Sequence, residues 1–350
     1  MSINPSVAID TANKPIMPIS DKTVITVDDE GDGDYTSIKE AVLNANSGDK
    51  IEVYSGKYHE GDISINKEEI VLKGIPYEFE SGNDTGKPFL FNYSKFIIEI
   101  IANNVVLTGF KIENFKNHTW VSNVVRCQSN DCFITDNEIP DGLNGIYVYG
   151  KQNVISNNTI NCHSGIDIKG KNCIISNNKL DTTGEGIMVY PWSKNVTISN
   201  NKINSGQQAI LLESSENCVI TGNRITSRWE LEGSIKFEYS NFNTVFLNEF
   251  INSHIGIRLE YSTLNLIKQN NFINNSNHSY FHGGILFNRN RWINNYWDDW
   301  NGFGPYRIKG ILVLFWILIF IYPFPIFIPW SVFDWNPASK PHIIPSGCDR

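Results

Sequence analysis

The sequence predicts an all-β chain: a single-stranded parallel β-helix of about ten coils with a short N-terminal capping helix. Three observations predict it. A half-repeat, apolar-x-x-Asn-x-apolar, recurs as Ile134-Thr-Asp-Asn137-Glu-Ile139, Ile155-Ser-Asn-Asn158-Thr-Ile160 and Ile175-Ser-Asn-Asn178-Lys-Leu180, and again at Asn201, Asn223, Asn248 and Asn270. A second half, Gly-Ile-x-apolar, alternates with it, as in Gly145-Ile-Tyr-Val148, Gly165-Ile-Asp-Ile168, Gly186-Ile-Met-Val189, Gly256-Ile-Arg-Leu259 and Gly284-Ile-Leu-Phe287. Successive Asn residues are 21, 20, 23, 22, 25 and 22 residues apart. A fixed period in this range marks a stacked repeat. Both halves alternate apolar and polar residues and are too short for helices. The Leu frame of leucine-rich repeats is absent. Coils bonded edge to edge at about 4.8 Å satisfy the pattern.

The elements follow in order. Residues 1–22 are polar, with Pro5, Pro15 and Pro18 and no basic start leading into an apolar core, so they read as a flexible N-terminus with no visible signal peptide. Val24–Val27 is extended, and Asp28–Asp34 is an acidic, glycine-containing turn. Ser37-x-x-Glu40 has the form of a capping box. Ile38, Ala41, Val42 and Ala45 then fall on one helical face, which suits a helix laid across an open coil. Residues 59–129 read as less regular coils, with Phe110 in the Asn slot of Leu107-Thr-Gly-Phe110-Lys-Ile112. The solenoid is expected over residues 23–310 and a hydrophobic C-terminal cap and tail over 311–350. A membrane span through Ile311–Trp330 is not expected, because 12 residues precede Pro323 where about 20 are needed.

Bulk properties limit the function. The chain has 350 residues, 41% of them hydrophobic, and a net charge of −8 with a pI near 5.4. It carries no basic run, so nucleic acid is not an expected partner. Of six Cys, Cys132, Cys173 and Cys218 share one inward slot, about 9–10 Å apart at the coil rise, too far for a bridge. They read as small core residues.

The stacked Asn residues are expected to serve turns and an amide ladder, since Asn tolerates left-handed backbone and a stacked amide bonds its copies. Chemistry is expected in the two variable outward slots after each Gly-Ile. One zone holds Tyr147, Tyr149, Tyr190 and Trp192, whose flat faces suit sugar rings. A second stacks Glu213, Glu238 and Glu260, with Lys236 and Arg258 beside them. Two readings of it stay open. The cations neutralise the acids, or, as a resemblance to β-helix polysaccharide lyases implies, Glu213, Glu238 and Glu260 hold Ca²⁺ while Arg258 or Lys236 acts as a base and Glu238 takes part in catalysis. His254 and His282 fall in equivalent turns, with the outward pair Leu286/Asn288 on the last copy.

The opening Val27-Asp-Asp-Glu-Gly-Asp-Gly-Asp-Tyr35-Thr-Ser-Ile38 and Ile51-Glu-Val53-Tyr54-Ser-Gly56-Lys-Tyr58 resembles the N-terminal cap of pectin-lyase-like right-handed β-helices. The Ile-Ser-Asn-Asn-x-Ile copies resemble the repeats of NosD-type proteins, a group that overlaps carbohydrate-binding and sugar-hydrolase domains. Asn295-Tyr-Trp-Asp298-Asp-Trp300 and Phe333-Asp-Trp335-Asn-Pro337 resemble C-terminal segments of such proteins from archaea. The resemblance spans residues 23–343. It implies a right-handed helix and a secreted or cell-surface protein. The expected function is a monomer that binds a polysaccharide or other glycan along its strand face. The alternatives are a polysaccharide lyase, epimerase or glycoside hydrolase, and a structural surface-layer component without catalysis.

Overall fold

The computed structural model describes residues 23–115, 122–230, 232–284, 289–314 and 326–345. These form a right-handed parallel β-helix built from three sheets of 12, 12 and 11 strands. Each coil contributes one strand to each sheet. In one coil these are Val154–Ser156, Thr159–Ile160 and Ser164–Lys171, called here the first, second and third sheets. Every pairing is parallel except the last, where Tyr306–Leu314 and Ile326–Asp334 form an antiparallel hairpin on the third sheet. The first sheet has twelve rungs where about ten coils are expected, because Val24–Val27, Lys50–Val53 and Val71–Gly74 stack on it without the Asn step. The strand Tyr306–Leu314 runs without a break through residue 310.

The core is the inside of the rod. Ile134, Ile155, Ile175, Ile198, Ile220, Val245 and Ile267 form one fully buried column, and Ile146, Ile166, Ile187, Ile210, Ile235 and Ile257 another. Cys132, Cys173 and Cys218 are buried free thiols, and Asn153 occupies the rung between the first two. The glycine of the Gly-Ile half follows from the close approach of coils. A Cβ on Gly165 would lie 2.4 Å from the Gly186 carbonyl oxygen.

The Asn ladder is present, and its amides all point one way. Nδ2 of Asn137, Asn158, Asn178, Asn201, Asn223, Asn248 and Asn270 donates to Oδ1 of the next copy at 2.9–3.2 Å, ending on Asn295. At the start, Asn137 Oδ1 accepts the backbone N–H of Phe110, which needs no side-chain donor. At the end, Asn295 Nδ2 donates to the buried carboxylate of Asp334. The left-handed residue of each turn is the one before the ladder Asn, at Asp136, Asn157, Asn177, Asn200, Leu247, Gln269 and Asn294. This corrects the expectation that the ladder Asn itself takes that conformation: its amide is committed to the neighbouring coils, and the preceding residue makes the bend.

The helix is Ile38–Asn44, with Ser37 Oγ accepting from Glu40 N–H at 3.2 Å. The Glu60 carboxylate accepts from Ile38 N–H at 3.0 Å and Lys39 N–H at 2.8 Å, satisfying orphan donors of the first turn. Ile38, Ala41 and Val42 are buried, and the helix packs on the strands Val24–Val27, Lys50–Val53 and Ile63–Ile65. At the other end Ile308, Leu312 and Val313 are buried, and Ile328 and Val332 pack against the core. No helix among the described residues is long and apolar enough to cross a membrane.

One register differs from the sequence reading. Ile257 pairs with Ser279, so Ser279-Tyr-Phe281-His282 occupies the slot assigned to Gly284-Ile-Leu-Phe287. His282 therefore stands in a strand opposite Glu260, and His254 in the turn before its own strand; the two do not share equivalent turns. The surplus residues of this 25-residue repeat come after the strand, where a hydrophobic pattern cannot distinguish the two frames. Leu286 and Asn288, and the flexible-N-terminus expectation for residues 1–22, lie outside the described residues.

Candidate functional site

Parallel register lines up the outward slots of the third sheet. Arg126, Tyr147, Asp167, Met188, Leu211, Lys236, Arg258 and Tyr280 form one column. Beside it run Tyr149 and Lys169, then Glu213, Glu238, Glu260 and His282. This brings together both zones expected from sequence, on one continuous face.

The first zone is a groove of about 430 Å³. Gly150 and Gly170 are among its lining, required by the close approach of coils beneath them, and Tyr149 and Trp192 line it 52% and 73% exposed. Lys169 Nζ lies 5.7 Å from the Tyr149 ring centre and 5.6 Å from that of Trp192, a cation–π contact with each. Lys151 and Lys171 also line the groove, and among the described residues no carboxylate pairs with any of the three lysines. Trp192 has a φ of 68°, rare for a bulky side chain, held by its N–H bond to the Ser214 carbonyl at 3.1 Å. Tyr147 and Tyr190 are half-buried.

Asp167 is the residue that sequence reasoning passed over. Alternation puts it in an outward slot, yet it is only 7% exposed, and no hydrogen bond reaches it among the described residues. Burial, with the Glu185 carboxylate adding to it, pushes its carboxyl up to about 7. Burial, then the charge of Asp167, likewise raises the Tyr190 phenol. Ser164 Oγ donates to Glu185 at 3.3 Å. The available signal was one acid framed by Tyr147 and Tyr190. It was missed because period-2 alternation gives a direction and not the bulk of the neighbours.

In the second zone Glu213, Glu238 and Glu260 stack in register, and Lys236 and Arg258 engage them. Lys236 Nζ lies 3.2 Å from Glu232, 3.5 Å from Glu238 and 3.2 Å from Glu260, and Arg258 pairs with Glu260 and, at 3.7 Å, Glu232. Glu232 was not anticipated, as it precedes the strand. Burial pulls the Lys236 ammonium down, but Glu260, Glu232 and Glu238 together hold it above the ordinary lysine value. It therefore keeps its proton. Among the described residues Glu213 alone of the stack makes no ion pair.

A third cluster lies at the end of the rod. The buried His278 presents Nε2 at 2.8 Å from Asp298 and 3.2 Å from Asp299. The Asn275 amide is oriented by the network around it: its oxygen accepts from Ser253 N–H at 3.0 Å and its nitrogen donates to the Phe250 carbonyl at 3.0 Å. That nitrogen also faces His278 Nδ1 at 3.2 Å, so Nδ1 accepts and Nε2 carries the proton.

Comparison with known proteins bears on these zones. Residues 123–302 match the model of the family described as periplasmic copper-binding protein (NosD). No curated protein matches by sequence. Among solved structures, the chain is similar to a mutant of DFA-IIIase from Arthrobacter chlorophenolicus A6, at 13% identity and a TM-score of 0.46 over 79% of each chain. It is similar to pectin methylesterase from carrot, at 12% and 0.39 over 74% of this chain and 84% of that one. It is also similar to the enzymatically active domain of tailspike protein 2 of bacteriophage CBA120, at 14% and 0.42 over 78% and 40%.

The described residues do not fit the metal in the family's description. Copper(I) takes thiolate and thioether donors, and copper(II) takes imidazole with further nitrogen or oxygen donors. Here the five described thiols are sealed in the core, Met188 is the one described methionine, and of the described histidines only His278 converges with other ligating groups, directing a protonated Nε2 at two carboxylates. Ligation through Nε2 would place a proton on Nδ1 against the Asn275 donor.

Proposed function

The chain belongs to the NosD family, and from that premise we propose that it binds a glycan along the outward face of the third sheet, centred on Tyr149, Lys169 and Trp192. The observation that carries the reading is the groove between two exposed aromatic rings, one held out by a left-handed backbone. A pyranose ring stacks an apolar C–H face on such rings. Three unpaired lysines in a chain of net charge −8 favour sugars that carry carboxylate or sulfate groups. The half-buried Tyr147 and Tyr190 lie outside the groove's lining, Tyr147 in the adjacent outward column. Solved β-helix structures of similar fold carry names of carbohydrate-active enzymes, which is consistent with this reading but does not carry it. The family's description as periplasmic supports a place outside the cytoplasm, at the cell surface or secreted.

A lyase using Arg258 or Lys236 as base, with Ca²⁺ on Glu213, Glu238 and Glu260, is the lesser reading, because Lys236 and Arg258 are already engaged with Glu238 and Glu260. The test is a glycan array of neutral and acidic polymers probed with and without Ca²⁺. Binding that is lost in Tyr149→Ala and Trp192→Ala supports the reading. Release of unsaturated uronates, abolished by Arg258→Ala, would replace it with the lyase. Silence in both assays would leave the rod a structural surface component.

A further inference from the structure

We propose that the acidic cluster of Asp28, Asp29 and Glu30 with Glu78 and Asp84, two triads joined at Glu30, binds Ca²⁺ at the N-terminal end of the rod, away from the proposed glycan face and independent of it. Two segments supply the ligands. Asp28, Asp29 and Glu30 open the turn between the strand Val24–Val27 and the helix Ile38–Asn44. Glu78 and Asp84 belong to the loop that follows the strand Val71–Gly74.

The carboxylates converge in two triads that share one member. One oxygen from each of Asp28, Asp29 and Glu30 lies within 4.8 Å of the others, and the same holds for Glu30, Glu78 and Asp84. Acidic side chains often gather on a surface without a ligand, but here two oxygens are buried and lack donors. Asp28 is 0% exposed; its Oδ2 accepts only Asp32 N–H at 3.3 Å, and its Oδ1 receives nothing. Asp29 Oδ1 is likewise buried without a donor, while its Oδ2 accepts Lys57 N–H at 2.9 Å. A carboxylate removed from water and left without a donor is costly, and more so among like charges. Among the described residues no Lys, Arg or His side chain pairs with any of the five. A cation resolves both deficits at once.

The donor set selects the ion. It is all oxygen, anionic and irregular, which suits Ca²⁺ with its six to eight ligands and flexible geometry. Mg²⁺ demands a near-octahedral shell, and copper or zinc would call for nitrogen or sulfur. The surrounding backbone is shaped around the acids. A Cβ at Gly56 would lie 1.9 Å from Asp29 Oδ1, so glycine is required for that carboxylate to enter. Ser81 N–H donates to Asp32 Oδ2 at 2.9 Å, already tying the loop to the turn, and the ion would complete the tie.

The experiment uses the full chain, freed of metal with a chelator and titrated with calcium chloride by calorimetry and by thermal unfolding. Calcium should bind with a Kd below about 1 mM. The unfolding midpoint should rise by about 5 °C or more at saturation. Magnesium chloride at the same concentration should give less than half that rise. Glu30 is exposed, so Glu30→Gln tests the site without threatening the fold; it should weaken binding tenfold or more, as should Glu78→Gln. Terbium luminescence sensitised through the neighbouring Tyr58 gives a second, direct readout. The proposal is overturned by an absence of binding heat and terbium signal, or by a midpoint shift that survives Glu30→Gln and Glu78→Gln unchanged.

Discussion

The side-chain amide of Asn295 donates to the Asp334 carboxylate at 3.0 Å, across 39 residues of chain. Every ladder amide passes its donor toward the C-terminus, so the last one must meet an acceptor. A carboxylate is acceptor-only. Asp334 also takes Asn294 N–H at 3.1 Å, Asn295 N–H at 2.9 Å, Trp297 Nε1–H at 3.3 Å and Asn336 N–H at 3.2 Å. Asp334→Ala leaves several buried donors unmatched and should cost about 3 kcal/mol or more by urea unfolding. Asp334→Asn retains an acceptor oxygen and should cost less. Equal losses would show that charge, not acceptor capacity, is what counts.

Asp167 sets a pH dependence. An unfolded aspartate titrates near 3.9, and in the fold the carboxyl is pushed up to about 7. The native state therefore holds the proton more tightly, and this residue's contribution to stability falls as pH rises from about 4 to about 7, then levels off. Asp167→Asn should be more stable than the parent at pH 8, by an amount on the order of a few kcal/mol, and similar to it near pH 4. Denaturation at the two pH values measures the difference, and the opposite sign would mean that a donor reaches this carboxylate.

The proposed glycan face gives a graded expectation. Removing Trp192 or Tyr149 should each weaken binding about tenfold, the order expected for a lost stacking surface. Lys151→Gln with Lys171→Gln should weaken only acidic glycans, and more at low salt. Affinity measured at two ionic strengths separates the terms. A loss that ignores salt would remove the lysines from recognition.

Lys236 is a structural cation. Its side chain is 13% exposed and touches three carboxylates. Lys236→Met leaves Glu232, Glu238 and Glu260 with Arg258 alone and should destabilise by about 2–4 kcal/mol. Adding Glu238→Gln should recover part of that, which a double-mutant cycle reads directly.

The solenoid was legible because it is written many times over: the Asn step and the Gly-Ile step fix coil length, strand face and core column together. What escaped notice is written once. Asp334 lies outside the repeat, and its partners are visible only after the chain returns to the rod end. Asp167 has the letter of a surface residue and the surroundings of a core one. His278 acquires its acids from the next coil, and Glu232 reaches Lys236 and Arg258 from ahead of the strand, which the repeat spacing does not reveal. The stacking of the outward slots that carry Tyr147 and Tyr149 was legible because those slots repeat, whereas the frame around Ser279–His282 was not, since Gly284-Ile imitates the repeat six residues too late, within the same coil.

The one-way run of amides from Phe110 to Asp334 makes the rod modular in length. Each coil accepts from the one before and donates to the one after, so an internal coil can be removed or duplicated whole while both terminators keep their partners. Half a coil cannot. Variation between relatives should then come in steps of about 22 residues, and the distance between the two ends of the rod becomes a quantity that selection can adjust by integers.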